Sequence, residues 1–181
     1  MRAFDGVPLI GFVAASGTGK TTLLTKIIPL LNAAGLRVGC VKHTHHPFEI
    51  DRPGKDSYRL RKSGASQMLI GAANRWALVV ETENEDDSSL ESLLSRLHLE
   101  DLDLVLVEGF RLEQIPKIEV RREELQSPLI CADLPGVFAI VSNGSPPADT
   151  GLPTLDINIP QTVADFIVDY VKQGAPSQTT G

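Results

Sequence analysis

Continuous apolar runs alternate with helical patterns along most of this chain. The strands predicted from these runs lie at residues 8–14, 36–42, 102–108, 117–121 and 137–142. Apolar residues at helical spacing predict three longer helices, near residues 23–31, 90–97 and 163–171. Because strands and helices alternate, the pattern predicts an α/β fold. In such a fold helices flank a mostly parallel sheet, and ligands bind beyond the carboxyl ends of its strands.

The middle of the chain breaks this alternation. A polar stretch over residues 43–56 precedes a short predicted helix at residues 57–62. Two short strands follow at residues 67–71 and 75–81, and an acidic stretch then leads into the next helix. The pattern therefore predicts a small β excursion from the main sheet.

Length and composition restrict the class of protein. The 181 residues suit one domain, which we place at residues 1–172, with a flexible polar tail at 173–181. A net charge of −6 argues against a general nucleic-acid binder, and no stretch reaches the roughly 20 apolar residues of a membrane span. Cys40 and Cys131 are expected to be buried thiols rather than a disulfide or a metal pair. These features favour a cytoplasmic protein.

The first strand ends in a glycine-rich turn that Lys20 and Thr21 close. The amides of such a turn and of the helix after it favour negative charge. The lysine supplies a cation for the outer phosphates, and the hydroxyl that follows can complete a Mg²⁺ shell. Ala14 replaces the first glycine of the usual pattern, which requires only that its φ stay negative. The expected nucleotide-binding residues are Ala15, Ser16, Gly17, Thr18, Gly19, Lys20, Thr21 and Thr22.

A second candidate group follows the buried run at residues 104–107, which delivers Glu108 at its carboxyl end. In phosphate-loop proteins an acid at this place holds Mg²⁺ or a water bound to it. We therefore expect Thr21 and Glu108 to be metal ligands, and Lys20 and Glu108 to be the catalytic groups. The alternative is that Glu108 only caps the loop at Gly109.

Four segments, taken together, resemble the molybdopterin-guanine dinucleotide biosynthesis adapter protein B family, MobB. They are GTGKTT at residues 17–22, KHTHH at 42–46, PGKDSYRLRKSGA at 53–65 and LVEGF at 106–110. Many NTPases share the first segment, whereas the second and third in this order are far more specific. The resemblance covers roughly residues 7–172.

The resemblance implies a phosphate-loop NTPase that binds GTP and Mg²⁺ as a homodimer and hydrolyses GTP weakly at most. It implies an adapter that assists a guanylyltransferase partner, MobA, in joining GMP to the molybdenum cofactor. Molybdopterin or its guanine dinucleotide is then a further ligand. The resemblance also implies that the β excursion at residues 67–81 extends the sheet across the dimer.

The polar loop after the second strand contains several residues that can contact a ligand. Asp51, or Asp56 in its place, can ligate Mg²⁺, since such loops sense the outer phosphate in phosphate-loop switches. With the resemblance, the residues expected to contact the pterin or the partner are His45, Lys55, Asp56, Arg59 and Arg61. The alternative is that Asp56 and Ser57 cap a helix whose basic residues face water.

Two other functions use the same scaffold. A small-molecule kinase needs arginines such as Arg59, Arg61 or Arg111 to close over an acceptor, but the sequence has no distinct arginine-rich lid. A metallochaperone-like GTPase would use the histidines at residues 43, 45 and 46 for metal delivery. No cysteine or acid completes a tetrahedral zinc set with them at standard spacing.

The residues that read the base do not follow from the sequence pattern. After the strand at 137–141 the chain lacks the Asn-Lys-x-Asp sequence with which small GTPases read guanine. Asn143 and Asp156 are the candidates for this task. The preference for GTP over ATP therefore rests on the resemblance.

Overall fold

The computed structural model describes residues 3–44, 48–82, 88–145 and 150–174. The strands are β1 Ala3–Phe4, β2 Val7–Ala14, β3 Val38–Lys42, β4 Gln67–Ala72, β5 Arg75–Val80, β6 Leu104–Glu108, β7 Lys117–Val120, β8 Val137–Ser142 and β9 Thr154–Asp156. The α-helices are α1 Lys20–Ala33, α2 Asp56–Lys62, α3 Leu90–Leu94 and α4 Pro160–Lys172. The predicted tail lies outside the described residues from residue 175 onward. Within the described residues, no helix combines the length and the apolar character that crossing a membrane requires.

The chain divides into two compact units, Met1–His43 with Leu93–Gly181 and Thr44–Ser92. The first unit holds the main sheet, in which parallel strands follow the order β3-β6-β2-β7-β8-β9 and β1 pairs antiparallel with β2. This arrangement confirms the α/β prediction. The chain leaves β2 towards β3 on one side, and the connection from β6 to β7 crosses to the other side. The carboxyl end of β2 therefore lies where ligands bind in open α/β sheets.

Two helices cover one face of this sheet. Apolar side chains of α1 and α4, such as Ile27 and Ile167, pack against the buried strand residues Ile10, Leu106 and Val141. Each fully buried side chain of this size contributes about 1.5–3 kcal/mol to folding. Because α1 begins directly after the glycine-rich loop, this packing fixes the loop at the carboxyl end of β2. α1 continues through Pro29 to Ala33.

The second unit contains the predicted β excursion. β4 and β5 form an antiparallel two-stranded sheet of their own, with Leu69 opposite Leu78 and Gly71 opposite Trp76. Leu69, Trp76 and Leu78 are exposed and share one face of this hairpin, since the residues of a strand alternate between its faces. The use of the hairpin in dimerisation stays a prediction.

The prediction that both cysteines are buried is wrong. Cys40 is exposed and Cys131 is half-buried, although both are free thiols as expected. Cys40 lies on β3, an edge strand of the main sheet, which among the described residues pairs with β6 alone. An apolar run does not reveal that its strand lies at an edge, so this exposure could not be predicted from the local pattern.

Candidate nucleotide-binding site

The glycine-rich loop is closed by its own hydrogen bonds. The Thr18 hydroxyl donates to the carbonyl of Ala15, and the Thr18 residue is 2 % exposed. Gly17 and Gly19 have φ values of +78° and +89°, a region that a side chain disfavours. α1 begins at Lys20, and the first amides of a helix have no partner within it. The loop therefore presents backbone N–H groups at a helix N-terminus, an arrangement that binds phosphate.

Glu108 lies beside this loop, at the end of β6. Its Oε1 is 3.5 Å from Lys20 Nζ and 3.4 Å from Thr21 Oγ1, and its side chain is 16 % exposed. The structure thus brings together three of the four residues that the sequence proposed for catalysis and metal binding, the fourth being Asp51. The hydroxyl and carboxylate oxygens are the ligand type that Mg²⁺ prefers, so these residues fit that ion.

Lys42 belongs to the same cluster, although the sequence analysis did not single it out. Its Nζ lies 3.7 Å from Glu108 Oε1, and Lys42 is the residue opposite Glu108 in the pairing of β3 with β6. Two lysines from different elements therefore surround one carboxylate. The signal that could have found Lys42 is its place at the carboxyl end of a strand, but its contact depends on β3 lying next to β6.

The turn after Glu108 requires glycine. Gly109 has a φ of +102°, and a Cβ built there would lie 2.7 Å from the carbonyl oxygen of His43. The amide of His43 donates to the carbonyl of Glu108 at 2.9 Å, and the His43 ring packs on Phe110 with 4.9 Å between centroids. This close approach of the two strand ends fixes the backbone from which Glu108 projects.

Arg122 approaches the loop from the opposite side, and the sequence analysis missed it. Its Nε donates to the carbonyl of Thr18 at 3.2 Å, and a Cβ built on Gly19 would lie 3.7 Å from its Nη2. Arg122 follows β7, which pairs with β2. Only the strand order brings this arginine to the loop, and the local pattern around residue 122 does not contain that order.

The candidates for the base lie near the carboxyl ends of β8 and β9. Asn143 donates its amide N–H to Glu124 Oε1 at 2.7 Å and accepts the backbone N–H of Glu123 at 3.0 Å. The hydrogen bond from Asn143 lowers the pKa of the Glu124 carboxyl. Asp156 accepts the backbone N–H of Asn158 at 2.8 Å. Asn143 thus joins two loops, whereas Asp156 closes a local turn with Asn158.

The second unit contains an ion-pair network centred on two buried side chains, Arg61 and Asp51. The guanidinium of Arg61, whose side chain is 5 % exposed, donates to Asp51 at 2.8 Å, to Glu81 at 2.6 Å and to Glu49. Arg61 therefore does not face water, contrary to the alternative in which the basic residues of the helix are all solvated. These bonds also give no support to the kinase alternative, in which Arg61 would close over an acceptor. Its proposed pterin or partner contact, and the Mg²⁺ contact of Asp51, stay predictions.

The remaining candidates of the polar loop lie on or next to α2. The N-cap position belongs to Lys55, and no side chain caps the helix. The idea that Asp56 and Ser57 cap it is therefore wrong, since Asp56 is in the first turn, where an acid favours the helix dipole. Arg59 and Asp56 form an exposed ion pair at 3.9 Å. His45 lies outside the described residues, and the ligand contacts of Lys55, Asp56 and Arg59 stay predictions.

The Arg61 network makes the stability of the second unit depend on pH. Hydrogen bonds from Arg61 lower the pKa of Asp51, and those from Lys62 and Arg61 lower the pKa of Glu49. A carboxylate whose pKa is lower in the folded than in the unfolded state stabilises the fold at pH values above its unfolded pKa, which is about 4. The stabilisation is lost as the pH falls through the folded-state pKa. We expect the fluorescence of Trp76, the one tryptophan of the chain, to report this loss as the pH falls below about 4.

An Arg61→Met variant is the matched control for this titration. It removes the guanidinium, so burial without that cation raises the pKa of Asp51. Protonation of Asp51 then no longer destabilises the folded unit, and the acid-linked loss seen in the fluorescence of Trp76 is expected to weaken or disappear. Coincident transitions in the parent chain and the variant would show that the network does not govern the acid stability of this unit.

The parallel sheet, with a glycine-rich loop and Lys20 at its carboxyl edge, defines a nucleotide-binding protein of the phosphate-loop class. Within this class, residues 9–143 match the family model for molybdopterin guanine dinucleotide synthesis protein B, MobB. The chain belongs to the MobB family.

Relatives and solved structures agree with this assignment. The chain is 45% identical over 168 residues to the molybdopterin-guanine dinucleotide biosynthesis adapter protein of Escherichia coli K12, covering 92% of this chain and 95% of the relative. It is 43% identical over 166 residues to the protein of the same name from Haemophilus influenzae, covering 91% and 90%. A crystal structure of molybdopterin-guanine biosynthesis protein B matches with a TM-score of 0.70 and 26% identity, over 89% of this chain and 98% of that one.

Proposed function

We propose that this chain is a GTP-binding adapter in the biosynthesis of molybdopterin-guanine dinucleotide. The observation that carries the proposal is the contact of Glu108 with Lys20 and Thr21 beside the glycine-rich loop. Membership of the MobB family supplies the pathway, because two relatives above 40% identity bear the name of the adapter protein. A guanylyltransferase such as MobA is the partner that fits this role, and the cytoplasm is its proposed location.

Different residues of the site bind different parts of a triphosphate and its metal ion. The amides of residues 15–22 hold the phosphate oxygens, and Lys20 meets the outer phosphates with its charge. Thr21 and Glu108 offer oxygens to Mg²⁺. When bound, Mg²⁺ neutralises charge on the β- and γ-phosphate oxygens.

Weak GTP hydrolysis follows from the same contacts. Lys20 can stabilise the charge that spreads over the γ-phosphate oxygens in the transition state. Glu108, however, contacts two lysines and the Thr21 hydroxyl, and it is also the proposed ligand of Mg²⁺. A carboxylate in these contacts is poorly suited to orient the attacking water. The chain is therefore proposed to use the nucleotide mainly as a bound ligand.

The apolar face of the β4–β5 hairpin supports a homodimer. Leu69 and Trp76 are 63% and 60% exposed, and together with Leu78 they form a contiguous apolar surface. Such surfaces mark protein–protein contacts. Sedimentation velocity of a Leu78→Glu variant tests the homodimer directly. An unpaired charge buried at the interface would give monomers.

The proposed function is tested by nucleotide titration and by reconstitution. Calorimetry with Mg²⁺ is expected to give tighter binding of GTP than of ATP. Adding the chain to a molybdenum-cofactor guanylyltransferase is expected to raise the yield of dinucleotide, with the Lys20→Ala variant as the control that gives no increase. Equal affinities for the two nucleotides would contradict the GTP assignment, and an unchanged yield would contradict the adapter role.

A further inference from the structure

The two flanks of the glycine-rich loop differ in chemistry. β2 has β6 on one side and β7 on the other, so the loop lies between Glu108 and the segment that follows β7. Lys20, Thr21 and Glu108 gather on the β6 side. Since the outer phosphates and the metal belong with these groups, the base of a bound nucleotide extends towards the β7 and β8 side.

We propose that Glu124 is the carboxylate that reads the guanine base, held in place by Asn143 and Arg122. The inference rests on the proposed function as a GTP-binding protein. It supplies a carboxylate in place of the aspartate of an Asn-Lys-x-Asp sequence, which does not follow β8.

The contacts of Asn143 fix the position of Glu124. The amide nitrogen donates to Glu124 Oε1 at 2.7 Å, while the amide oxygen accepts the N–H of Glu123 at 3.0 Å. Both ends of one side chain from the β8 loop therefore hold the short turn after β7. Glu124 is exposed, so a ligand can reach its carboxylate.

The neighbouring acid, Glu123, has different surroundings. A Cβ built on Gly144 would lie 2.6 Å from Glu123 Oε2 and 3.1 Å from Glu123 Cβ. The Glu123 side chain thus packs against the backbone of the β8 loop. Glu124, by contrast, is oriented by an amide, which distinguishes the two acids.

Arg122 joins this turn to the phosphate loop. Arg122 precedes Glu124 by two residues in the chain. Its Nε donates to the carbonyl of Thr18 at 3.2 Å. One hydrogen-bonded route therefore runs from Thr18 through Arg122 to the turn that carries Glu124. Arg122 is a positioning residue, because it sets the distance between the phosphate contacts and the acid without itself contacting the base.

A carboxylate discriminates between bases by its lone pairs. Guanine presents N1–H and the 2-amino group side by side, and one carboxylate can accept from both. Adenine presents an acceptor at N1, which a carboxylate repels. Xanthine replaces the 2-amino group with a carbonyl, so a carboxylate rejects it, whereas an amide can accept from N1–H and donate to that carbonyl.

The test is the affinity of the full chain for GTP, XTP and ATP with Mg²⁺, before and after Glu124→Gln. GTP affinity is expected to fall roughly 10- to 100-fold, because two hydrogen bonds to a charged acceptor become one to a neutral acceptor. XTP affinity is expected to rise by a similar factor, and ATP affinity is expected to rise less, because the amide only removes the repulsion at adenine N1. A gain for XTP does not arise from a damaged fold.

Glu123→Gln is the matched control, with the same change of charge one residue away, and it is expected to keep the preference of the parent chain for GTP. If Glu124→Gln keeps that preference and gains no affinity for XTP, the inference is overturned while the proposed function stands. If the parent chain itself does not prefer GTP to ATP, the proposed function fails, and the base-reading role fails with it.

Discussion

The Lys20→Ala variant is expected to lose at least about 100-fold in affinity for a nucleoside triphosphate. Lys20 starts α1 at the glycine-rich loop, and its ammonium lies 3.5 Å from Glu108. Each hydrogen bond from a charged donor contributes about 1.5–3 kcal/mol, and an ammonium that bridges two phosphate oxygens makes two of them. The variant also leaves the negative charge of Glu108 without its nearest cation on α1. Isothermal titration calorimetry with GTP and Mg²⁺ measures the loss.

Lys26→Ala is the control for this experiment. Lys26 is an exposed lysine of the same helix, so the substitution removes the same charge while leaving the loop intact. It is expected to change the affinity by less than about 3-fold, since long-range charge effects at the surface are screened by salt. Circular dichroism should show both variants folded. Undiminished binding by a folded Lys20→Ala variant would refute the phosphate-loop site.

The second large effect is expected for Glu108→Gln, which should uncouple nucleotide binding from Mg²⁺. In the parent chain Mg²⁺ is expected to tighten GTP binding, because Thr21 and Glu108 offer oxygens on the side of the outer phosphates. The amide keeps the size of the side chain but loses the charge that holds the metal. We expect the gain in affinity on adding Mg²⁺ to fall roughly 10-fold or more, a loss of about 1.4 kcal/mol.

Titrations in EDTA separate this effect from general damage. Without metal, Glu108→Gln is expected to bind GTP at least as well as the parent chain, because a negative charge near the phosphates has been removed. Glu100→Gln, an exposed change in the same unit, should leave both titrations as they are in the parent chain. If Mg²⁺ strengthens GTP binding equally in the Glu108→Gln variant and the parent chain, the carboxylate is not a metal ligand.

The sequence predicted those parts of the site that local pattern determines. An apolar run followed by glycine, lysine and threonine defines the phosphate loop by itself, and Glu108 follows from its place at the end of a buried strand. Lys42 and Arg122 were missed because their contacts depend on which strands are neighbours in the sheet. That order results from the packing of the whole unit, and the local sequence around either residue does not indicate it.

The polar loop of the second unit shows a different reason for failure. Its basic residues look alike in the sequence, yet Arg61 is buried among carboxylates while Arg59 is exposed. On a seven-residue helix a shift of two positions moves a side chain to the other face, and nothing nearby indicates which face meets the acids. The depth of a charged side chain in a polar segment therefore follows from tertiary contacts.

The bond across the glycine-rich loop, from Thr18 to Ala15, and the bond from Arg122 to Thr18 also affect the thermodynamics of loading. A turn held by two such bonds has little conformational entropy left to lose when an anion enters. NMR order parameters of the backbone at residues 17–19 should accordingly be high already in the apo chain. After the nucleotide dissociates, the loop would then keep its binding conformation and would not have to refold before the next nucleotide binds.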